Sequence, residues 1–259
     1  MDIFWRMLKP KIEAQIAGLG FTRHKMVYIR VINDVCQNFY VERFKRGPNA
    51  KVCRIGFSVL PLAQKISREE IENGIGLYYL KKFERPSDGY SEGWIYEIGN
   101  ESIVACIEEI LRYVDSYLIP FFRRAVNTID AFSELVALEQ LFYENRMFYR
   151  KECESYNRSS SYAALDLLDG VKYCMALKNH DFDYAWRSGV AILNQNIEAY
   201  ESVKSFLPPE SLSERETDIQ RLRKEVKHIE NKDGDYFHQL FEKNEFFSRE
   251  NLKKYIVAQ

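Results

Sequence analysis

The chain has 259 residues, 46% hydrophobic and 29% charged, with 17 Tyr, 17 Phe and a formal net charge of -1. That length exceeds one typical compact domain, and the composition is that of an ordinary globular protein, which excludes a largely disordered or fibrous chain. Apolar runs such as Tyr117 to Phe122 fall far short of the ~20 residues of a membrane helix, and the start MDIFWRMLKPKIEA is too evenly charged for a secretion signal. A cytoplasmic location without a membrane partner is therefore expected.

The near-neutral total hides an asymmetry, with residues 1–128 at net +4 and residues 129–259 at net -5. Neither half is basic enough for phosphate-backbone binding to be its main business, so no nucleic-acid partner is expected. The five cysteines, Cys36, Cys53, Cys106, Cys153 and Cys174, are odd in number and widely spaced in apolar surroundings. They suit reduced, buried thiols better than a disulfide framework.

In chain order, Phe4, Leu8, Ile12, Ile16 and Leu19 recur at helical steps and predict a helix from Asp2 to Leu19, with Gly20 as its left-handed stop and Pro10 as a kink. Met26–Ile32 and Val35–Phe44 then alternate as strands about an Asn33-Asp34 turn, whose residue types tolerate positive φ. The loop KRGPNA leads to a third strand, Lys51–Leu60, with Cys53, Ile55, Phe57 and Val59 on one face. Ser67 to Glu70 has the spacing of a capping box and predicts a short helix ending near Asn73-Gly74. Ile75–Phe83 and Trp94–Ile98 are expected strands on either side of the turn-rich run ERPSDGYSEG. Asn100 is expected to cap a helix lined by Ile103, Cys106, Ile107, Ile110, Val114 and Tyr117, which Pro120 closes.

The helix running into Gly20-Phe21, the Tyr28-Ile29-Arg30 strand, Gln37 in the return strand, Trp94 and the helix running into Ile119-Pro120-Phe121 together resemble a bacterial family, domain of unknown function 4304. The resemblance covers residues 1 to about 128. It implies an α+β cytosolic domain and brings no catalytic residues with it.

Beyond Thr128 the pattern is helical throughout, over Ile129–Arg146, Ser160–Lys178, Asp181–Phe206, Ser213–Glu230, Asp235–Asn244 and Ser248–Ile256. Phe182, Ala185, Trp186, Val190, Leu193, Ile197, Tyr200 and Val203 form one stripe. The short link at Asn179-His180-Asp181 lays that helix back on its predecessor, whose Leu165, Leu168, Tyr173 and Ala176 would face it, with Asp181 as cap. One such hairpin resembles a tetratricopeptide unit, but no second copy follows at a fixed period. After Pro208-Pro209, Ser213 to Glu216 has the spacing of a second capping box.

No motif carries obvious chemistry. His24, His180, His228 and His238 are not paired at metal-ligand spacing, and no serine or cysteine stands in a nucleophile elbow. Gly74-Ile75-Gly76 lacks the third glycine of a dinucleotide loop, so neither metal nor cofactor is expected. Glu69-Glu70, Glu108-Glu109 and the run RLRKEVK at 221–227 suit solvated helix faces. One constellation stands out. Arg30 and Gln37 should lie opposite each other across the hairpin, Arg43 and Arg54 extend a polar patch, and Tyr28, Tyr90 and Trp94 frame it with aromatic surface. The expectation is thus an α+β domain over residues 1–128, with about five antiparallel strands between the first and closing helices, and an all-helical domain over 129–259. Its function is expected to be non-enzymatic binding or adaptor work, of a toxin-neutralising or stress-related kind, with another protein as partner. The alternative is a hydrolase or transferase with its site between the sheet face and the helical tail.

Overall fold

Helical spacing of Phe4, Leu8, Ile12 and Ile16 gives the buried stripe of α1 (Ile3–Ile16), which a 3-10 turn at Ala17–Leu19 extends to Gly20. Gly20 has φ 77°, the left-handed geometry that ends the helix, and Pro10 sits inside α1 without ending it. The computed structural model describes residues 3–84, 93–97, 99–149 and 162–257, with backbone alone at 142–149 and 162–168.

Among the described residues six strands follow: β1 (Thr22–His24), β2 (Val27–Ile32), β3 (Val35–Lys45), β4 (Ala50–Pro61), β5 (Tyr78–Tyr79) and β6 (Trp94–Glu97). All pair antiparallel in the order β1-β2-β3-β4, after which β5 and β6 both pair with β4. The Asn33-Asp34 hairpin forms as expected, with Asn33 at φ 49° and Ile32 opposite Val35. β1 was not foreseen, because three polar residues give no alternation to detect. The expected strand Ile75–Phe83 shrinks to Tyr78–Tyr79, since Gly74 turns at φ 84° ahead of it and Leu80–Phe83 coil into a 3-10 turn behind it.

Between β4 and β5 lies α2 (Arg68–Glu72). Its capping box forms as predicted: Glu70 N–H donates to Ser67 Oγ at 3.3 Å, and Ser67 N–H donates to the Glu70 carboxylate at 2.9 Å. The helix α3 (Asn100–Tyr113) is preceded by Gly99 rather than capped by Asn100, and Pro120 does not close it. Instead a π segment at Val114–Leu118 carries the rod into α4 (Ile119–Arg124). A wider turn just before proline accommodates a ring that has no N–H to give to the ladder.

Among the described residues five more helices follow: α5 (Thr128–Tyr149), α6 (Tyr162–Lys178), α7 (Phe182–Val203), α8 (Pro209–Glu230) and α9 (Gly234–Leu252). Asp181 caps α7 as expected, accepting from Tyr184 N–H at 3.0 Å. Of the stripe on α7 only Ala185 is buried, with Gly189 beside it, and Trp186 remains 42% exposed. Leu165 and Leu168 lie outside the residues whose side chains are described. Ser213 to Glu216 is not a helix start, because Pro209 already occupies the first turn of α8, where its missing N–H costs nothing. The two expected last helices are one continuous α9, and Ser248 lies buried within it. The Ser248 hydroxyl accepts from Ile66 N–H at 2.8 Å and donates to the Leu62 carbonyl at 2.7 Å, so it anchors α9 to the chain leaving β4.

One sheet face bears Tyr28, Arg30, Gln37, Phe39, Phe57 and Val59 and is covered by α1, α3 and α4, with Phe122 against Phe39 and Phe4 stacked on Tyr96 at 4.4 Å. At β2 the sheet also meets α2 and the 3-10 turn Lys253–Tyr255 that follows α9. Each large side chain fully buried here, such as Phe39 or Phe57, contributes about 2–3 kcal/mol of transfer free energy. This core continues beyond residue 128 through Ala131, Leu135, Leu138, Val171, Met175, Leu252 and Tyr255. The C-terminal chain closes onto the sheet: Ile256 makes a parallel bridge to Val31, and Val257 N–H donates to the Val31 carbonyl at 3.0 Å.

Candidate binding surface

The pairing foreseen between Arg30 and Gln37 forms, with Arg30 Nε donating to Gln37 Oε1 at 2.6 Å. Both side chains are buried, at 4% and 0% exposure, so they lie under the helices and not on a surface. Arg30 donates to the carbonyls of Leu19 (2.5 Å) and Phe122 (2.7 Å), while Gln37 donates to those of Phe122 (3.0 Å) and Ala125 (2.6 Å). These carbonyls end the first and closing helices, where the helical ladder leaves acceptors unsatisfied. The pair therefore ties both rods to the sheet. Burial lowers the Arg30 pKa to about 10, and its guanidinium lies 5.0 Å from the centre of the Phe21 ring.

The remaining members of that constellation are dispersed. Tyr28 is buried and stacked on Phe39 at 4.6 Å, and burial raises its hydroxyl pKa. Trp94 is buried edge-on to Tyr113 at 5.2 Å, while Arg43 reaches over Phe4 at 5.8 Å. Tyr90 lies outside the described residues. Arg54 alone stands on the opposite sheet face, half-buried, with its Nε 2.7 Å from Glu42 and its guanidinium 5.0 and 4.9 Å from the rings of Phe44 and Tyr79.

Around Arg54 the sequence has assembled something that its spacing did not announce. The Tyr40 ring lies in a cradle of three glycines: a Cβ on Gly56, Gly74 or Gly76 would come within 2.5, 2.9 or 2.6 Å of it. Such positions admit glycine alone without movement of the ring. Burial, with Tyr79 and Glu42 nearby, raises the Tyr40 hydroxyl pKa. Beside this ring an open groove of about 640 Å³ is lined by Met26, Tyr40, Glu42, Arg43, Arg54, Asn73 and Gly74. It is shallow and of mixed polarity, a form suited to holding a chain segment and unlike a deep, enclosed small-molecule site. The glycines that hold the ring come from positions 56, 74 and 76, which no sequence spacing links.

Two carboxylate hubs lie elsewhere. Glu72 sits 2.5 Å from Lys254, 2.7 Å from Arg68 and 3.7 Å from His24, and accepts from Tyr255 Oη at 2.5 Å. Partial desolvation opposes these bonds but loses, and the carboxyl falls to about 2. A smaller groove of about 440 Å³ adjoins it, lined by His24, Lys25, Arg68 and Asn251. Glu84 accepts both arms of Arg112 (2.7 and 2.9 Å) and the hydroxyls of Tyr113 (2.9 Å) and Tyr117 (2.6 Å), which also hold it at about 2.

At the junction of sheet and helical tail, where the alternative reading put an enzymatic site, Asp34 and Lys178 are the centre of a bonded network. Asp34 accepts from Thr128 N–H at 3.0 Å and Thr128 Oγ1 at 2.7 Å, and pairs with Lys178 at 2.8 Å. Lys178 also bonds Glu245, and Arg249 donates to the Asn33 carbonyl at 2.6 Å. Burial opposes ionisation of Asp34 and Lys178, yet their mutual contact lowers one pKa and raises the other.

The four described cysteines, Cys36, Cys53, Cys106 and Cys174, are unbridged and buried, and burial lifts the Cys106 and Cys174 thiols to about 12. Among the described residues no group of His, Cys, Asp and Glu has the arrangement to hold a metal ion, and no helix is long and apolar enough to cross a membrane. His24 is not merely in a turn but half-buried on β1 beside Glu72, and His180 occupies the α6–α7 turn at φ 58°. The fold and surface thus define an α+β protein with an open groove beside the far half of β3. No family model, curated protein or solved structure matches the chain.

Proposed function

We propose that this chain is a non-enzymatic binding or adaptor protein of the bacterial cytosol, and that it holds a protein partner in the groove beside Tyr40 and Arg54. The observation that carries this reading is the pairing of an open groove with a rigid floor: the glycine cradle fixes Tyr40, and the Glu42 contact fixes Arg54. Aromatic and arginine side chains held in place lose little entropy on binding, which is why such residues anchor interfaces. Buried, unbridged thiols fit a reducing compartment.

Affinity capture from host lysate with wild type, Tyr40→Ala and Arg54→Ala as baits tests the assignment of the surface. A companion held by wild type and lost by both variants supports it. A companion held equally by all three places the interaction elsewhere.

A further inference from the structure

Of the large apolar side chains described, Phe206 is the most exposed, at 84%. It stands in the turn between α7 and α8, two helices that pack along each other. The backbone fixes that turn: Phe206 and Leu207 donate their N–H groups to the Val203 carbonyl at 2.9 and 3.2 Å, and Pro208 is held extended at φ -67° and ψ 154°. A ring presented on a fixed turn loses little freedom when it binds, and aromatic anchors of this kind carry much of an interface's energy. Its surroundings are acidic. Residues 198–218 carry Glu198, Glu201, Glu210, Glu214, Glu216 and Asp218, all exposed, against Lys204 and Arg215.

The groove beside Tyr40 has the complementary character. Met26 lines it together with the cradled Tyr40 ring, and Glu42 is engaged by Arg54. Asn73 lines both this groove and the smaller one near Glu72, so the two meet, and Lys25 lies in the second. Lys25 and, at the end of β3, Lys45 are exposed. We infer that the partner held in the groove is a second copy of this chain, which sets the Phe206 turn of its α7–α8 hairpin against Tyr40. This rests on the binding function proposed for the groove. A tyrosine ring and a thioether both favour an incoming phenyl ring. The acidic flanks of the turn then meet the lysines, in keeping with net +4 over residues 1–128 and net -5 over residues 129–259. Donor and acceptor surfaces differ, so the contact is head-to-tail. Each bound copy still presents a turn or a groove, and association continues past two copies unless a ring closes.

Sedimentation velocity on the full chain tests this from about 5 to about 500 μM, the range in which one anchored ring gives measurable association. The weight-average mass should rise with concentration. Raising salt from about 50 to about 500 mM should weaken association about fivefold by screening the charges across the contact. Phe206→Ala, on an exposed turn, should weaken it about tenfold, and so should Lys25→Glu combined with Lys45→Glu. An equimolar mixture of Phe206→Ala and Tyr40→Ala should give one-to-one pairs and nothing larger, because the first supplies only a groove and the second only a turn. The double lysine variant, which changes exposed side chains alone, should pair with Phe206→Ala in the same way and keeps the test independent of folding around Tyr40. A monomer at every concentration, association unchanged by salt, or Phe206→Ala associating as the wild type does overturns the inference. Self-association of both groove variants at the wild-type level removes the groove as receptor and overturns it too. A wild-type bait that captures a host companion lost by Tyr40→Ala and Arg54→Ala, while the purified chain stays monomeric, keeps the groove reading and overturns the second copy, so the two can fail separately.

Discussion

The two halves of β3 show how one strand serves two purposes. From Val35 to Phe39 every residue is buried and flanked on both sides, and Gln37 reaches into the carbonyl ends of two helices. From Glu42 to Lys45 the strand pairs with β4, and its residues range from half-buried to exposed. The lesson is that burial of a polar pair marks what holds the fold together. Arg30 and Gln37 have the chemistry of a recognition site, but the structure uses it internally.

Breaking the closed half should cost most. Arg30→Met withdraws donors from the buried Leu19 and Phe122 carbonyls and is expected to lose about 3 kcal/mol, read from the urea midpoint at unchanged slope. Loss below about 1 kcal/mol would mean that the clamp is ornamental. Gly56→Ala drives a methyl to 2.5 Å from the Tyr40 ring and should cost about 2 kcal/mol by overpacking, with a change in Tyr40 fluorescence or ring shifts reporting its displacement. Asp34→Ala removes the bond to the first turn of α5 and one partner of Lys178, for about 2 kcal/mol, and the spectroscopic signal of the helical region should soften first.

A pH series sharpens the contrast further. Glu72 and Glu84 have folded pKa values near 2, below the usual carboxylate value of about 4.3, so the stability they give is complete above that ordinary value. It is lost as pH falls from about 4.5 toward 2. Glu84→Gln should flatten acid unfolding in that window and leave the profile above pH 6 unaltered. The smallest effect belongs to the exposed half: Lys45→Glu should change stability by no more than about 0.5 kcal/mol, since it is exposed at a strand end.

Much of this was legible in the residues. Alternation located β2, β3 and β4, Asn33-Asp34 located their hairpin, and Ser67–Glu70 and Asp181 located two helix starts, all of which are local matters. What escaped depends on distant partners. Ser248 has the form of a helix cap, but its hydroxyl is taken by Leu62 and Ile66 at the far end of the sheet, so α9 runs through it. β1 exists because β2 offers an edge, not because Thr22, Arg23 and His24 favour a strand. For the site, the Arg30–Gln37 pairing followed from hairpin register, but its burial followed from where α4 ends. Tyr40 went unnoticed because its glycine cradle is gathered from residues 56, 74 and 76, which no sequence spacing connects.

Amide hydrogen exchange across β3 tests the division of that strand most directly. The amide of Lys45, at the exposed end of the strand, should exchange orders of magnitude faster than those of Gln37 and Phe39. Uniform protection from Val35 through Lys45 would contradict the account.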